Sequence, residues 1–201
     1  MIKAIIFDFG NVICSFDMKK FGNRMAELTG LSVSRLTQVV ANASRLSIEY
    51  ETGLISSDEF FHRVVIENGL SVSKEEFVDA FTHLFTPIPS TFDLIKKVKP
   101  RYRLGLLSNT NEWHYEYGIK PVEVFPLFDT VTLSFQVKAM KPAEKIYRDA
   151  LTKLNVQPEE AVYIDDLLEN AKAATALGIH GVHYTGHAEL LRELTALRLA
   201  I

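Results

Sequence analysis

Apolar positions along the chain fall into two rhythms. Ile5-Ile6-Phe7, Leu104 to Leu107 and Val162-Tyr163-Ile164 are almost unbroken apolar runs, four to eight residues long with their flanks. Runs of that kind predict strands covered on both faces. With two weaker segments they predict strands at Ala4–Asp8, Leu104–Ser108, Thr130–Ser134, Ala161–Asp165 and Gly181–Tyr184. Between them, residues 90–99, 111–117, 142–154, 169–177 and 187–198 have helical spacing. Pro142 suits a first helical turn, where its missing N–H would be an orphan anyway. Alternation of strand and helix predicts an α/β fold, a doubly wound, Rossmann-like parallel sheet with helices on both faces.

Residues 14–88 break the alternation: they carry helix signals and no strand signal. Phe21, Met25 and Leu28 form one apolar stripe behind an Asp17 cap, and Leu36, Val39, Val40, Ala43 and Leu46 form a second. Ser56 with Glu59, and Ser73 with Glu76, have capping-box spacing. Each precedes a stripe: Phe60, Phe61, Val64 and Val65, then Phe77, Phe81, Leu84 and Phe85. Gly69 suits a helix stop. Pro87 and Pro89 bracket the return. The expected organisation is a core of residues 1–13 and 89–201, with 14–88 inserted as a helical cap. There is no internal repeat or low-complexity tract.

At 201 residues, 47% hydrophobic and 23% charged, the composition is that of a folded globular chain. A net charge of −3 gives no electrostatic case for nucleic acid or an anionic membrane. The basic cluster Lys96, Lys97, Lys99, Arg101 and Arg103 reads as a helix end and the turn after it. Cys14 is the only cysteine, which excludes an internal disulfide and suits a reducing compartment. No stretch nears the roughly 20 apolar residues of a membrane span, and the start is unlike a signal peptide. The expected location is the cytoplasm; oligomeric state is not legible.

The chemistry sits where the apolar runs stop. Asp8 ends the first and Ser108-Asn109-Thr110 the second; Met140-Lys141-Pro142 precedes a helix, and Asp165-Asp166 ends the last long run. In an open α/β sheet, ligands bind beyond the carboxyl ends of the strands, so these stations should converge. An acid, a hydroxyl, a lysine and an acid pair handle phosphate. A carboxylate attacks phosphorus once mutual repulsion is removed. Mg²⁺ removes it, held by Asp8 with one or both of Asp165 and Asp166. Ser108 and the following N–H groups can receive anionic oxygens, and Lys141 can neutralise charge in the transition state. Each residue taken alone has a plainer reading: strand-end acids cap helices, Ser, Asn and Thr are favoured N-caps, and a lysine such as Lys138 is commonly a surface charge. The ordered set favours function. His180 and His183 are three apart on an expected strand and point to opposite faces, so they cannot chelate one ion. No glycine-rich nucleotide loop is present.

These stations resemble the motifs of the haloacid dehalogenase superfamily, over the whole chain and including a helical cap after the first strand. The resemblance implies a Mg²⁺-dependent phosphatase working through an aspartyl-phosphate. Asp8 matches the nucleophile, Ser108 the phosphate-binding hydroxyl, with Asn109 beside it, Lys141 the motif lysine, and Asp166 the metal-binding acid, with Asp165 at the neighbouring motif position. Phe7 to Ile13, with Ser108-Asn109-Thr110-Asn111 and His114, is similar to the bacterial glucose-1-phosphatase branch, implying small phosphorylated metabolites, sugar phosphates above all. One position departs. Where most of these phosphatases carry a second aspartate, two residues after the nucleophile, this chain has Gly10. Its carbonyl can still bind the metal, but general acid–base help, typically about 10²–10⁴-fold, must come from elsewhere. His114 is one substitute acid; a histidine packed near Trp113 is the other reading. Arg45 and Glu51, in a polar stretch between helices, read as solvated charges; contact with substrate is the other reading. Two other functions compete: a metal-independent 2-haloacid dehalogenase, which has little use for the acid pair, and a weakly active phosphosugar-binding protein, which Gly10 would suit.

Overall fold

The computed structural model describes the backbone of residues 1–42 and 44–201, and the side chains of all of these except 33, 37, 40–42 and 44. Ala43 and the Val40 side chain, both assigned above to an apolar stripe, lie outside that description.

Five parallel strands form the main sheet: β1 (Ala4–Phe7), β4 (Arg103–Ser108), β5 (Thr130–Leu133), β6 (Ala161–Asp165) and β7 (His180–His183), ordered β5-β4-β1-β6-β7. Phe7 lies level with Leu106 on one side and Ile164 on the other. Asp8, Ser108 and Asp165 therefore emerge at one edge of the sheet. The long apolar runs are explained by two buried faces. Ile5, Phe7, Leu104, Leu106, Val162 and Ile164 pack with α6 (Pro89–Val98) and α10 (His187–Ala196). Their neighbours Ala4, Ile6, Leu107, Ala161 and Tyr163 pack with α8 (Glu144–Leu154) and α9 (Leu168–Ala176). Gly181 permits the close approach of α9: a Cβ there would stand 2.1 Å from the Ala171 carbonyl oxygen.

The alternation is as expected, with corrections at the ends. α8 begins at Glu144, with Ala143 as its N-cap, so Pro142 lies before the helix; the Lys141–Pro142 peptide is cis. Residues 112–119 are helical but adopt π geometry from His114 to Ile119. Ser134 leaves β5 and opens the short α7 (Ser134–Val137). The basic cluster is largely tied down: Lys96 pairs with Glu123, Lys99 with Asp129, and Arg103 donates to the Leu154 carbonyl.

Between β1 and α6 stand α1 (Met18–Thr29), α2 (Val33–Asn42), α3 (Ser44–Glu51), α4 (Ser57–Phe61) and α5 (Lys74–Thr82). α4 widens into π geometry over His62–Ile66, and Gly69 ends that segment with a positive φ. Asp17 caps α1, and Ser73 with Glu76 closes the reciprocal box of α5. At α4 only half of the expected box forms: Ser56 accepts from the Glu59 N–H, while the Glu59 carboxylate takes Arg63 instead. The segment does contain strands, contrary to expectation. β2 (Cys14–Phe16) and β3 (Phe85–Pro87) pair antiparallel, so the insert leaves and returns side by side. Three-residue strands carry too little periodicity to be read from sequence. The insert's core is aromatic, with Phe21, Phe60, Phe77 and Phe81 buried around Met25 and Leu84. Trp113, from the segment after β4, is buried in the same cluster. No helix among the described residues is long and apolar enough to cross a membrane.

Candidate active site

Beyond the carboxyl ends of β1, β4 and β6 lies a cavity of about 260 Å³, lined by Asp8, Ser108, Asn109, Lys141 and Asp166 among others. Asp8, Ser108, Lys141 and the adjoining Asp165 are buried side chains at strand ends or in the loop before α8. Lys141 is the hub. Its Nζ lies 2.7 Å from Asp8 Oδ1 and 2.8 Å from Asp165 Oδ2, with all three side chains sequestered from solvent. Asn109 fixes that lysine from behind: its Oδ1 accepts the Lys141 N–H at 2.8 Å and its Nδ2 donates to the Lys141 carbonyl at 3.1 Å. The Asn109 side chain is thus committed to the lysine loop.

Asp165 is held from every direction. Lys141 and Tyr163 donate to Oδ2, the Leu167 N–H donates to Oδ1 at 2.8 Å, and Asn170 Nδ2 reaches both oxygens at 3.1 Å. Burial opposes its charge, but Lys141 and these donors win, and its pKa is lowered. Lys141 shows the reverse sign: burial disfavours the ammonium, Asp8 and Asp165 outweigh it, and its pKa is raised. Asp8 is less well compensated. Burial is the largest effect and lifts its carboxyl to about 7, against the opposing pull of Lys141. The Phe9 N–H and Lys141 both bond Oδ1, and Oδ2 takes no hydrogen bond among the described residues.

The acids are placed to seat a cation. Asp8, Asp165 and Asp166 each offer an oxygen within 4.8 Å of the others. Three carboxylates against one ammonium leave negative charge in excess, and hard oxygen donors fit a small divalent ion. Such an ion would relieve the condition that lifts Asp8. Asp166 is the least enclosed of the three, and Asn11 Nδ2 donates to its Oδ2 at 2.9 Å. Gly10 lines the same cavity, and a Cβ built there would meet nothing within 4 Å.

Ser108 is buried at the cavity wall. The amide of Thr110 is not free for a ligand, because it donates to Ser134 Oγ at 2.9 Å. His114 is decided in favour of packing. Its Nε2 is 2.8 Å from the Phe81 carbonyl oxygen, Asn111 Nδ2 is 3.1 Å from its Nδ1, and the ring stacks on Phe81 at 4.3 Å. With Nε2–H donating and Nδ1 accepting, both nitrogens are engaged, and burial pushes the ring down to about 4. It has no proton to give. Arg45 is an exposed charge paired with Glu49, as expected. Glu51 is not: it lines the cavity beside Asp8 and Lys141.

Sequence reasoning missed Tyr163, Asn170, Ser134 and the position of Glu51. Tyr163 was legible, since it shares a strand face with Asp165 two residues on. Ser134 was not, because its Oγ joins the Thr110 amide to the Glu51 carbonyl (2.5 Å) across the insert boundary.

A parallel sheet with acids, a hydroxyl and a lysine at its carboxyl edge, roofed by helices, defines a class of hydrolase. The chain belongs to the haloacid dehalogenase-like hydrolases: the sequence model of that family matches residues 2–178. It is 29% identical to a D-ribitol-5-phosphate phosphatase of Bacteroides thetaiotaomicron over 98% of both chains. It is 27% identical to a sesquiterpene phosphatase of Aspergillus oryzae over 97% of this chain and 96% of the other. Among solved structures it is similar to a family enzyme from Bacteroides thetaiotaomicron in complex with magnesium and inorganic phosphate. That likeness has a TM-score of 0.78 at 25% identity, over 91% of this chain and 94% of the other. The likeness to the glucose-1-phosphatase branch is not singled out by these relatives.

Proposed function

We propose that this protein is a Mg²⁺-dependent phosphatase of small phosphorylated metabolites, sugar phosphates foremost, acting through an aspartyl-phosphate on Asp8. The observation that carries the reading is the convergence of Asp8, Asp165 and Asp166 within 4.8 Å around a buried lysine. The relatives acting on phosphorylated substrates, and the similar structure with magnesium and phosphate, support it.

Asp8 and Asp166, with the Gly10 carbonyl, would hold Mg²⁺. Asp165 would complete the acidic edge chiefly by fixing Lys141, since both its oxygens already accept hydrogen bonds. When bound, the ion supplies the positive charge that lets an anionic nucleophile meet an anionic ester. Asp8 Oδ2, the oxygen without a hydrogen bond, attacks phosphorus in line with the departing oxygen. Ser108 donates to an equatorial oxygen, and Lys141 places its charge beside both the nucleophile and the transferring group. Water then cleaves the acyl phosphate and restores Asp8. Residues 14–88 act as the cap: the insert closes the cavity, excludes bulk water and limits the size of the esterified alcohol. A cavity of about 260 Å³ suits a small metabolite.

The test is a panel of phosphorylated metabolites with and without Mg²⁺. Turnover of several phosphate monoesters, lost on chelation and in Asp8→Asn, is the expected result. Halide release without metal would install the dehalogenase instead, and binding without turnover the inactive phosphosugar-binding protein.

A further inference from the structure

We propose that Glu51, from the helical insert, is the proton donor and acceptor of the reaction, standing in for the side chain that Gly10 lacks. This rests on the phosphatase reading above.

Cleaving an alkyl phosphate releases an alkoxide, which needs a proton as the P–O bond breaks; the second step must take a proton from water. The cavity holds few groups able to do either. Lys141 is committed to Asp8 and Asp165, His114 has both nitrogens engaged and is held neutral, and Gly10 has no side chain. Asp8 and Asp166 serve as nucleophile and cation ligand. Glu51 remains. It is the last residue of α3, lines the cavity with Asp8, and its carboxyl takes no ion pair or hydrogen bond among the described residues. A half-buried carboxyl without a partner is costly unless it has another use.

Its placement is built. Ser134 Oγ, at the end of β5, donates to the Glu51 carbonyl at 2.5 Å while accepting the Thr110 amide. Two residues on, Lys138 Nζ donates to the Gly53 carbonyl. Gly53 has φ +66° and lies so close to α7 that a Cβ would stand 2.2 Å from the Phe135 carbonyl oxygen. The end of α3 is thus pinned to the loop carrying Ser108. Burial lifts the Glu51 carboxyl to about 7, so both protonation states are populated near neutrality. The titratable groups that share its cavity are Asp8, Asp166, Lys141 and His114; Lys138 lies on the α7 side, bonded to the Gly53 carbonyl, and Arg45 and Glu49 stand on its own helix.

The steps balance. Asp8 Oδ2 bonds to phosphorus; the bond to the leaving oxygen breaks, and that oxygen keeps the electron pair and takes the Glu51 proton. A water oxygen then bonds to phosphorus, its proton passes to the Glu51 carboxylate, and the acyl oxygen of Asp8 departs as carboxylate with the electron pair of the broken bond.

The experiment compares 4-nitrophenyl phosphate, whose leaving group departs unprotonated, with 4-nitrobenzyl phosphate, an alkyl ester of similar shape. In Glu51→Gln, kcat/KM for the benzyl ester should fall about 10²-fold, while kcat/KM for the phenyl ester changes less than about threefold. Its kcat should drop, with a burst of nitrophenol, because hydrolysis of the phosphoenzyme has lost its base. Adding Gly10→Asp, for which there is open space, should restore the benzyl ester by at least about tenfold. Equal losses on both esters, or no loss on the benzyl ester, would overturn the role of Glu51. Absence of any turnover by the wild-type protein with Mg²⁺ would instead overturn the phosphatase reading.

Discussion

Two carboxylates, Asp165 at the sheet edge and Glu51 in the insert above it, meet burial in opposite ways. Asp165 is completely enclosed yet ionised, because a lysine, a phenol, an amide N–H and an asparagine all donate to it. Glu51 is less enclosed yet has no donor among the described residues, and its pKa rises. The difference is one of supply. The end of a parallel sheet gathers donors from several strands and loops, whereas the insert lines the cavity with Phe16, Phe85 and Glu51, and neither ring offers a hydrogen bond to a charge. A fully bonded acid fixes the lysine beside it; an unbonded one can exchange a proton.

The comparison breaks most completely at Lys141. Lys141→Met leaves Asp8 and Asp165 facing each other without their shared cation. We expect kcat to fall about 10²–10³-fold and, in metal-free buffer, stability to fall by about 3–5 kcal/mol. Denaturant unfolding and steady-state kinetics measure the two together, and an unchanged stability would mean the buried trio is not held by charge. Phe77→Ala instead strikes the insert, where its ring is fully buried among Phe21, Phe60 and Phe81. It should cost about 3–5 kcal/mol, read as a loss of proteolytic protection in residues 14–88 before the sheet.

The pH dependence separates the two acids. A carboxyl whose folded pKa is raised stabilises the fold fully below its unfolded pKa and loses that contribution as pH rises through the folded one. For Glu51 the window runs from 4.5 to about 7. Hence Glu51→Gln should raise Tm relative to wild type at pH 8 and leave it unchanged near pH 4, in chelator. Asp165, with its pKa lowered, has the opposite sign: Asp165→Asn should cost most at neutral pH and least in strong acid. Equal shifts at all pH values in both variants would sink the contrast. Smallest of all, Ser134→Ala removes the hydroxyl between the Thr110 amide and the Glu51 carbonyl. It should cost about 1 kcal/mol, and it should slow alkyl esters more than aryl ones if its purpose is to hold the insert in register.

The same contrast explains what could be read in advance. Asp8, Ser108, Lys141 and Asp165-Asp166 were legible because each ends an apolar run or shortly precedes a helix, and a parallel sheet brings such ends to one edge. That both faces of the sheet are covered follows from unbroken burial in runs such as Ala4 to Phe7. Asn109 was legible as a loop residue beside Ser108, but not as the clamp on Lys141, since that pairing spans 32 residues and a loop conformation. The β2–β3 ribbon was hidden by its brevity. Glu51 was misread as a surface charge because nothing local marks its exposure; the insert's placement over the sheet decides it. His114 could be narrowed to two roles by position, and only its partners Phe81 and Asn111 choose between them.

The most direct test of the central claim is to trap the intermediate. Protein mixed with Mg²⁺ and 4-nitrophenyl phosphate, quenched in acid within a turnover and digested, should carry a base-labile phosphoryl group on the peptide containing Asp8, and none in Asp8→Asn. Turnover with no phosphoryl group on any peptide, or with the group on a different residue, would contradict nucleophilic attack by Asp8.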